Sequence, residues 1–228
     1  MAALGALDFI GIALFLGFTI VYHTVYYIYA QTRPLETVKG KIALYRRTWV
    51  KRIIDRGDYI LAVQAIRNHI MAASFMASSS LLAIGLLLNF TVGGDPAESL
   101  HVNDPELITT KLFALIGVFA VAFLAFLFTI RDLNHLSLLI GADNELIDHL
   151  EGIDTVTYLS TLLNRAANRY TYGQRGFYFS LAIVAWIFHP VAFIVATLLI
   201  GGMLVLLLDF QRWKIPKVVQ RTFEPRFD

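Results

Sequence analysis

The sequence predicts an all-α protein that crosses a membrane several times, with four main transmembrane helices and amphipathic helices on the cytoplasmic side. Of its 228 residues, 57% are hydrophobic and only 16% are charged, whereas about 25% of an average soluble domain is charged. Long apolar runs recur along the chain, and each approaches the roughly 20 residues that a helix needs to cross the hydrocarbon core. The charged residues lie mainly between these runs.

The first two apolar runs predict transmembrane helices over residues 7–30 and 70–92. No basic residue precedes Arg33, so the first run lacks the basic start of a cleavable signal peptide and is expected to remain as a span. Polar residues precede the second run in helical register, so we expect that helix to project beyond the bilayer. Its small residues Ala73 and Ala77 form a face that lets a neighbouring helix approach closely.

The cytoplasmic segment predicted between these spans, residues 31–60, is strongly basic. It holds eight Lys and Arg residues and three acidic residues. Aromatic and aliphatic residues recur among these charges at helical spacing, which predicts an amphipathic helix at the cytoplasmic headgroup surface, ending at Gly57. Anionic lipid is therefore the expected partner, and nucleic acid is not. The lipid-facing candidates are Arg46, Arg47, Trp49, Lys51 and Arg52.

The third run predicts a span over residues 109–131, after an acidic segment without Lys or Arg. Residues 132–176 are expected to be cytoplasmic and to contain an amphipathic helix capped by Asp154. The fourth run, residues 177–208, is interrupted by Pro190, which removes a helix hydrogen bond. It is therefore either one kinked span or a membrane hairpin that turns at Pro190.

Charge sets the expected orientation in the cell or plasma membrane. We predict one transmembrane domain over residues 1–210 and a basic tail over residues 211–228. The basic first segment is expected inside, which places the N-terminus outside. A single fourth span would put the basic tail outside, against the same rule, whereas a hairpin would return it to the cytoplasm.

Polar side chains cluster near the predicted cytoplasmic ends of the second and third spans. Ionisable groups in spans usually face a bundle interior or a watery cavity. The leading hypothesis is therefore a homo-oligomeric ion channel or passive transporter that passes an inorganic ion through a polar cytoplasmic vestibule. The pore and vestibule candidates are Gln64, Arg67, Asn68, Met71, Phe75, Arg131, Asn134 and His135.

Two other hypotheses remain open. A membrane redox, haem or metal protein would use imidazole ligands, for which the candidates are His23, His69 and His135. A lipid- or protein-binding scaffold would use the basic segment. No cofactor is predicted, because no His pair has metal-ligand spacing and the chain has no Cys. The absence of a catalytic motif also argues against an enzyme. Weaker metal candidates are the acidic residues Asp143, Glu145 and Asp148.

Several motifs along the chain together form a recognisable pattern. They are Tyr22-His23, Pro34-Leu-x-Thr37, Arg47-Thr-Trp49, Arg67-Asn68-x-Ile-Met71, Arg131-x-x-Asn134-His135, Gly173-x-Arg175-x-Phe-Tyr178 and Trp186-x-Phe-x-Pro190. In these motifs the chain resembles a known family, the uncharacterised membrane proteins with domain of unknown function 599. The resemblance covers roughly residues 8–209 and implies a multispan membrane protein without an assigned activity. This chain departs from the pattern at His189, where the family has a small residue before the proline.

Overall fold

A computed structural model describes residues 5–93 and 105–210, and this part of the chain contains seven helices and no strand. The all-α class is thereby confirmed. Four helices (α1, α3, α4 and α7) are long and apolar enough to cross a membrane. The helices are α1 (Ala6–Thr32), α2 (Val38–Arg56), α3 (Tyr59–Gly93), α4 (Pro105–Leu139), α5 (Asn144–Glu151), α6 (Thr155–Phe188) and α7 (Pro190–Asp209).

Local capping chemistry sets several helix ends. The Thr37 hydroxyl accepts a hydrogen bond from the Gly40 amide at the start of α2. Gly57 ends α2 at a φ of 69°, in the left-handed region that a side chain disfavours. The Asp154 carboxylate accepts from the Thr157 amide at 2.9 Å and starts α6, as the sequence predicted.

The last apolar run forms a helical hairpin rather than a single kinked span. The helix breaks at His189, whose Nδ1 accepts from the Val191 amide at 3.1 Å, and α7 begins at Pro190. Beside the turn, the rings of Trp186 and Phe193 stack with centroids 4.9 Å apart. At the other end of α7, Asp209 pairs with Arg175, which lies 34 residues earlier in the chain. The two helices are therefore antiparallel neighbours.

The N-terminal part of this hairpin extends further back than the sequence predicted. Helix α6 runs without a break from Thr155 to Phe188, so the predicted connector and the fourth run share one helix. Gly173 and Gly176 lie within it but do not break it, because they face α4. A Cβ atom on Gly173 would lie 2.6 Å from the Phe126 ring, and one on Gly176 would lie 3.1 Å from the Ala122 side chain.

The helices build two stacked layers. The span layer contains α1, α7 and the adjoining parts of α3, α4 and α6, with Leu112, Ile183 and Phe193 among its buried residues. The α2 layer contains α2, α5, the start of α3, the end of α4 and the start of α6. Its core includes Val50, Ile66, Leu133, Leu136, Leu159 and Ala166. Helices α3 and α4 thus project beyond the span layer, as predicted for α3.

Small residues allow the helices to approach closely. Ala73 and Ala77 on α3 are buried, which confirms the predicted packing face. Helices α1 and α7 run in parallel, with Gly11 against Phe193 and Gly201 against Phe18. A Cβ atom on either glycine would lie less than 3 Å from the facing ring.

Polar side chains tie the span layer together at its Pro190 end. The Trp186 indole donates to the buried Asp8 carboxylate at 2.6 Å, which joins α6 to α1. The buried Lys111 ammonium donates to the Trp186 carbonyl at 2.8 Å, which joins α4 to α6. The hairpin turn is therefore held by two charged groups from other helices.

Helix α2 packs against another helix of the chain. Arg46 donates to Asn164 and Arg47 to Thr157, so α2 runs antiparallel along the first half of α6. The position of α2 at the cytoplasmic headgroup surface stays a prediction. Binding of anionic lipid by the basic segment stays a prediction. The acidic segment 94–104 and the basic tail 211–228 lie outside the described residues.

Candidate functional site

A cleft opens between the start of α2 and the middle of α6, and the ends of α1 and α7 close its inner wall. This α2–α6 cleft has a volume of about 200 Å³. It continues into a wider groove of about 630 Å³, with which it shares Lys39, Arg46, Asn168 and Tyr172. The cleft is lined by His23, Tyr26, Val38, Lys39, Ile42, Arg46, Ala167, Asn168, Thr171, Tyr172, Gln174, Arg175, Tyr178, Leu208 and Asp209.

Two cations on α2 line the cleft without a carboxylate partner in the described part of the chain. The Lys39 ammonium lies 4.2 Å from the centroid of the Tyr27 ring and 5.7 Å from that of Tyr172. The Arg46 guanidinium donates to the Asn164 side-chain oxygen at 3.3 Å. Both side chains are partly buried. They therefore leave positive charge available to a ligand.

The electrostatic environment of Lys39 is unusual. Burial and the nearby Arg175 guanidinium lower the pKa of Lys39 to about 8. The ammonium thus carries its charge at neutral pH but loses it under mildly alkaline conditions. Burial also lowers the pKa of Arg46, although a guanidinium stays protonated in proteins.

Other cations beside the cleft are neutralised. Arg165 and Arg169 line the adjoining groove and donate to the buried Asp132 carboxylate at 3.1 Å and 2.7 Å. At the inner wall, Arg175 forms a buried ion pair with Asp209. These pairs distinguish Lys39 and Arg46 from the other cations that line the cleft and the adjoining groove.

The inner wall is a hydrogen-bonded network centred on Asp209. Besides pairing with Arg175, Asp209 accepts from the Tyr22 hydroxyl at 2.8 Å, and its carbonyl accepts from the Tyr26 hydroxyl at 3.3 Å. Asp209 closes a π-helical stretch of α7, and Tyr22 closes another one in α1. Such stretches are rare and often occur at functional sites. A buried carboxylate needs these partners to offset its lost hydration.

His23 borders this network and has an unused hydrogen-bonding atom. The side chain is 7% exposed, and its Nδ1 lies 2.5 Å from the Phe18 carbonyl oxygen. A carbonyl only accepts, so Nδ1 carries the donated proton and Nε2 of the neutral ring is an acceptor. Within the described residues, Nε2 has no hydrogen-bond partner.

The predicted pore and vestibule residues lie elsewhere. All of them are exposed in the single chain, on the outer surfaces of α3 and α4. The structure therefore does not gather them around a pore within one protomer, and a pore would need further copies. They are Gln64, Arg67, Asn68, Met71, Phe75, Arg131, Asn134 and His135.

The polar members of this set also lie beyond the span layer. Their neighbours Ile66 and Leu133 share a buried cluster with Leu159 and Ala166 on α6. Ala166 precedes Arg175 by nine residues, which corresponds to about 13 Å along a helix. Arg67, Asn68, Arg131, Asn134 and His135 are thus displaced from the Arg175–Asp209 pair toward the α2 layer.

The cofactor candidates are separated. His23 contacts the rings of Tyr172 and Phe179, whereas the exposed His69 borders a small cavity with Thr129 and Tyr170. His135 is exposed on α4. Residues 5–93 and 105–210 contain no group of three or more His, Cys, Asp or Glu placed to hold a metal ion. A haem or metal ligand role for any of these histidines stays a prediction.

The acidic metal candidates have structural partners. The Asp143 carboxylate accepts from the Glu145 amide at 3.0 Å and caps α5. The Asp148 carboxylate accepts from both the amide and the hydroxyl of Thr155, each at 2.6 Å. The Asp148 contacts join α5 to the start of α6.

Sequence reasoning did not select Lys39, Tyr26 or Asp209 as site residues. Lys39 was one of eight basic residues in its segment, and no local pattern separates it from the others. Asp209 has a weak signal, because it is an acidic residue at the end of an apolar run. Its partner becomes evident only once the hairpin at Pro190 is known.

The fold and the site together define a polytopic helical membrane protein with a basic cleft beside a buried ionic network. The chain belongs to the family described as "Protein of unknown function, DUF599", whose sequence profile matches residues 10–213. The predicted family membership is thus confirmed. No curated protein and no solved structure matches the chain.

Proposed function

We propose that the protein is a passive membrane transporter whose substrate is a phosphate-bearing anion bound in the α2–α6 cleft. The observation that carries this proposal is the pair of cations Lys39 and Arg46, which line the cleft without carboxylate partners in the described part of the chain. Charges held away from bulk water interact more strongly with a ligand than charges in water.

The kinds of donor in the cleft favour phosphate. Arg presents a planar fork of donors to tetrahedral oxyanions, and Lys adds a compact charge with three donors. Asn168 and Gln174 line the same cleft, and their side-chain amides supply neutral donors. Such a mixture suits an anion with several oxygens.

The position of the cleft supports a transport role. Its inner wall includes Tyr26 from α1 and Asp209 from α7. Both residues lie toward the C-terminal ends of helices that are long enough to cross a membrane. A ligand in the cleft would therefore touch the buried ionic network of the span layer. Rearrangement of that network is the step by which binding would open a path.

Binding of inorganic phosphate to the purified full chain in detergent micelles tests the proposal by calorimetry. A charge-assisted hydrogen bond contributes about 1.5–3 kcal/mol, so Lys39→Gln and Arg46→Gln should each weaken binding by about tenfold or more. The matched control is Lys51→Gln, because Lys51 is exposed on the same helix and does not line the cleft. Absence of phosphate binding, or equal affinity in all four proteins, would refute the proposal.

Uptake measurements address the transport step. Liposomes containing the wild-type protein should take up labelled phosphate along its gradient, and Lys39→Gln should slow this uptake while Lys51→Gln should not. If the protein binds phosphate but the liposomes take up none, the protein is a phosphate receptor and the transport part of the proposal is refuted.

A second candidate function is the homo-oligomeric ion channel, which the exposed polar surface of α3 and α4 favours. Helix α3 packs mainly against α4, so its opposite side is free to meet another copy within the described part of the fold. On that side lie Arg67, Asn68 and Met71, all exposed. A pore between copies would place them at its mouth.

The channel hypothesis requires an oligomer with a central axis. Mass measurement of the detergent-solubilised complex should give three or more copies, and ion flux should fall with Asn68→Leu but persist with Lys41→Gln. A monomer, or flux that is unaffected by Asn68→Leu, would count against the channel.

A further inference from the structure

We infer that the α2–α6 cleft selects a phosphate group that carries a hydroxyl hydrogen and rejects sulfate, which carries none at neutral pH. This inference rests on the proposed function, since it specifies the anion that the cleft takes. The observation behind it is that the residues lining the cleft include hydrogen-bond acceptors as well as cations.

The first acceptor is the imidazole of His23. Its Nδ1 donates to the Phe18 carbonyl, which leaves Nε2 as an acceptor without a partner in the described part of the chain. The side chain is more than nine-tenths buried and borders the cleft. A buried acceptor without a donor is costly, and a ligand hydroxyl would supply that donor.

The second acceptor is the carboxylate of Asp209. It is 3% exposed, lines the same cleft and accepts from Arg175 and Tyr22. Two carboxylate oxygens together have about four lone-pair positions, so acceptor capacity remains after these two bonds. His23 and Asp209 come from α1 and α7, whereas the unpaired cations Lys39 and Arg46 come from α2.

The cleft is therefore divided into a donor side and an acceptor side. A phosphate with one P–OH group matches both, because its charged oxygens face Lys39 and Arg46 while its hydroxyl donates to the unpartnered Nε2 of His23. Sulfate has the same shape but offers only lone pairs to the acceptor side, where they would be repelled. Sites built to bond a hydroxyl discriminate strongly against analogues that lack it.

Two sources share this ligand chemistry. Inorganic phosphate at neutral pH and the monoanion of a phosphomonoester headgroup both carry the P–OH group. A competition experiment distinguishes these two sources. If the headgroup enters the cleft, phosphatidylcholine nanodiscs that contain phosphatidic acid should displace labelled phosphate from the protein. Nanodiscs of phosphatidylcholine alone are the control and should not displace it. If neither disc displaces phosphate, inorganic phosphate is the ligand.

The selectivity is tested with the full chain in detergent at pH 7 and constant ionic strength, by titration with phosphate and with sulfate. The wild-type protein should bind phosphate at least tenfold more tightly than sulfate. His23→Phe should bring phosphate affinity down to that of sulfate while sulfate affinity is unchanged. His23→Gln, whose side-chain oxygen is an acceptor, should retain part of the selectivity, and thermal unfolding of each variant reports whether it is folded.

The outcomes separate this inference from the proposed function. If phosphate and sulfate bind equally and both depend on Lys39, the proposed anion site stands and the selectivity is refuted. If a folded His23→Phe variant keeps the wild-type ratio of affinities, His23 is not the discriminating acceptor and the inference fails. If neither anion binds, both the proposed function and this inference fail.

Discussion

At the residue scale, Lys39 is expected to make anion binding in the cleft depend on pH. Its pKa is lowered to about 8 by burial and by Arg175. Above that pH the side chain loses its proton and the cleft loses one positive charge. Anion binding should therefore weaken as pH rises through about 8.

The Lys39→Arg variant isolates this effect, because arginine stays protonated at every pH at which the protein is folded. Phosphate affinity of the wild-type protein should fall more between pH 7 and pH 9 than that of Lys39→Arg. Calorimetry at the two values measures the difference, and the comparison cancels the titration of phosphate itself. Identical pH profiles for the two proteins would exclude Lys39 as the titrating group.

The buried Arg175–Asp209 pair yields a second prediction at this scale. Removing one partner leaves an uncompensated buried charge, which costs about 3–5 kcal/mol in soluble proteins. Asp209→Leu and Arg175→Met should each lower the free energy of unfolding by about that amount. The double variant should be destabilised by much less than the sum of the two, because neither charge is left alone.

Denaturant unfolding in mixed micelles provides the free energies for this double-mutant cycle. Additive effects would show that the two side chains do not interact in solution. Tyr22 loses its acceptor in both variants that lack the Asp209 carboxylate, whereas Tyr26 donates to the Asp209 backbone carbonyl, which every variant retains. The Tyr22 contribution therefore enters Asp209→Leu and the double variant but not Arg175→Met.

At the element scale, the close contact between α4 and α6 depends on glycine, which has no side chain, at position 173. Gly173 faces the ring of Phe126, which is fully buried. Gly173→Ala would place a Cβ atom 2.6 Å from the Phe126 ring, and such overpacking costs about 1–3 kcal/mol.

The control for this prediction is Gly117→Ala on α4, where an added Cβ meets no atom within 4 Å. Alanine favours a helix over glycine by about 1 kcal/mol, so this control should be neutral or slightly stabilising. Thermal unfolding of the two variants measures the contrast. Equal melting temperatures would show that α4 and α6 are less tightly packed than the structure indicates.

Helix boundaries show how far local sequence signals reach. Gly57 ends α2 and Asp154 starts α6 as predicted, because a cap depends on residues within one turn. The continuity of α6 through residues 171–176 was not predicted. Charged residues there resembled a connector, but in the structure Arg175 is neutralised by Asp209, and its helix continues.

At the scale of the whole molecule, the hairpin at Pro190 determines the topology. The second half of α6 crosses the span layer in the direction opposite to α7, so the described chain ends beside the start of α2. Arg175 and Asp209 at that end, and Trp186 and Phe193 at the other, mark the two faces. The absolute orientation, with the N-terminus outside, stays a prediction.

Single cysteines test this topology, because the chain has none of its own. In oriented vesicles, a membrane-impermeant maleimide should label Arg52→Cys and Phe210→Cys from one side and Val191→Cys from the other. The labelled side of Arg52→Cys also reveals the absolute orientation. Labelling of Phe210→Cys together with Val191→Cys would contradict the hairpin.

The sequence by itself determined the membrane class, the all-α fold and the approximate positions of the long apolar helices. Hydrophobicity, helical periodicity and capping are properties of neighbouring residues, so they can be read without knowing which helices touch. The packing face at Ala73 and Ala77 was predictable for the same reason.

Only the tertiary structure decided between a kinked span and a hairpin, and only it revealed the cleft. The Lys39 ammonium lies near the Tyr172 ring although the two residues are 133 positions apart in the sequence. Tyr22 donates a hydrogen bond to Asp209, which is 187 positions away. Helical periodicity identifies the face on which a residue lies, but it does not identify the helix that this face will contact. The candidate site consists of such long-range contacts, which is why its main residues were absent from the sequence-based prediction.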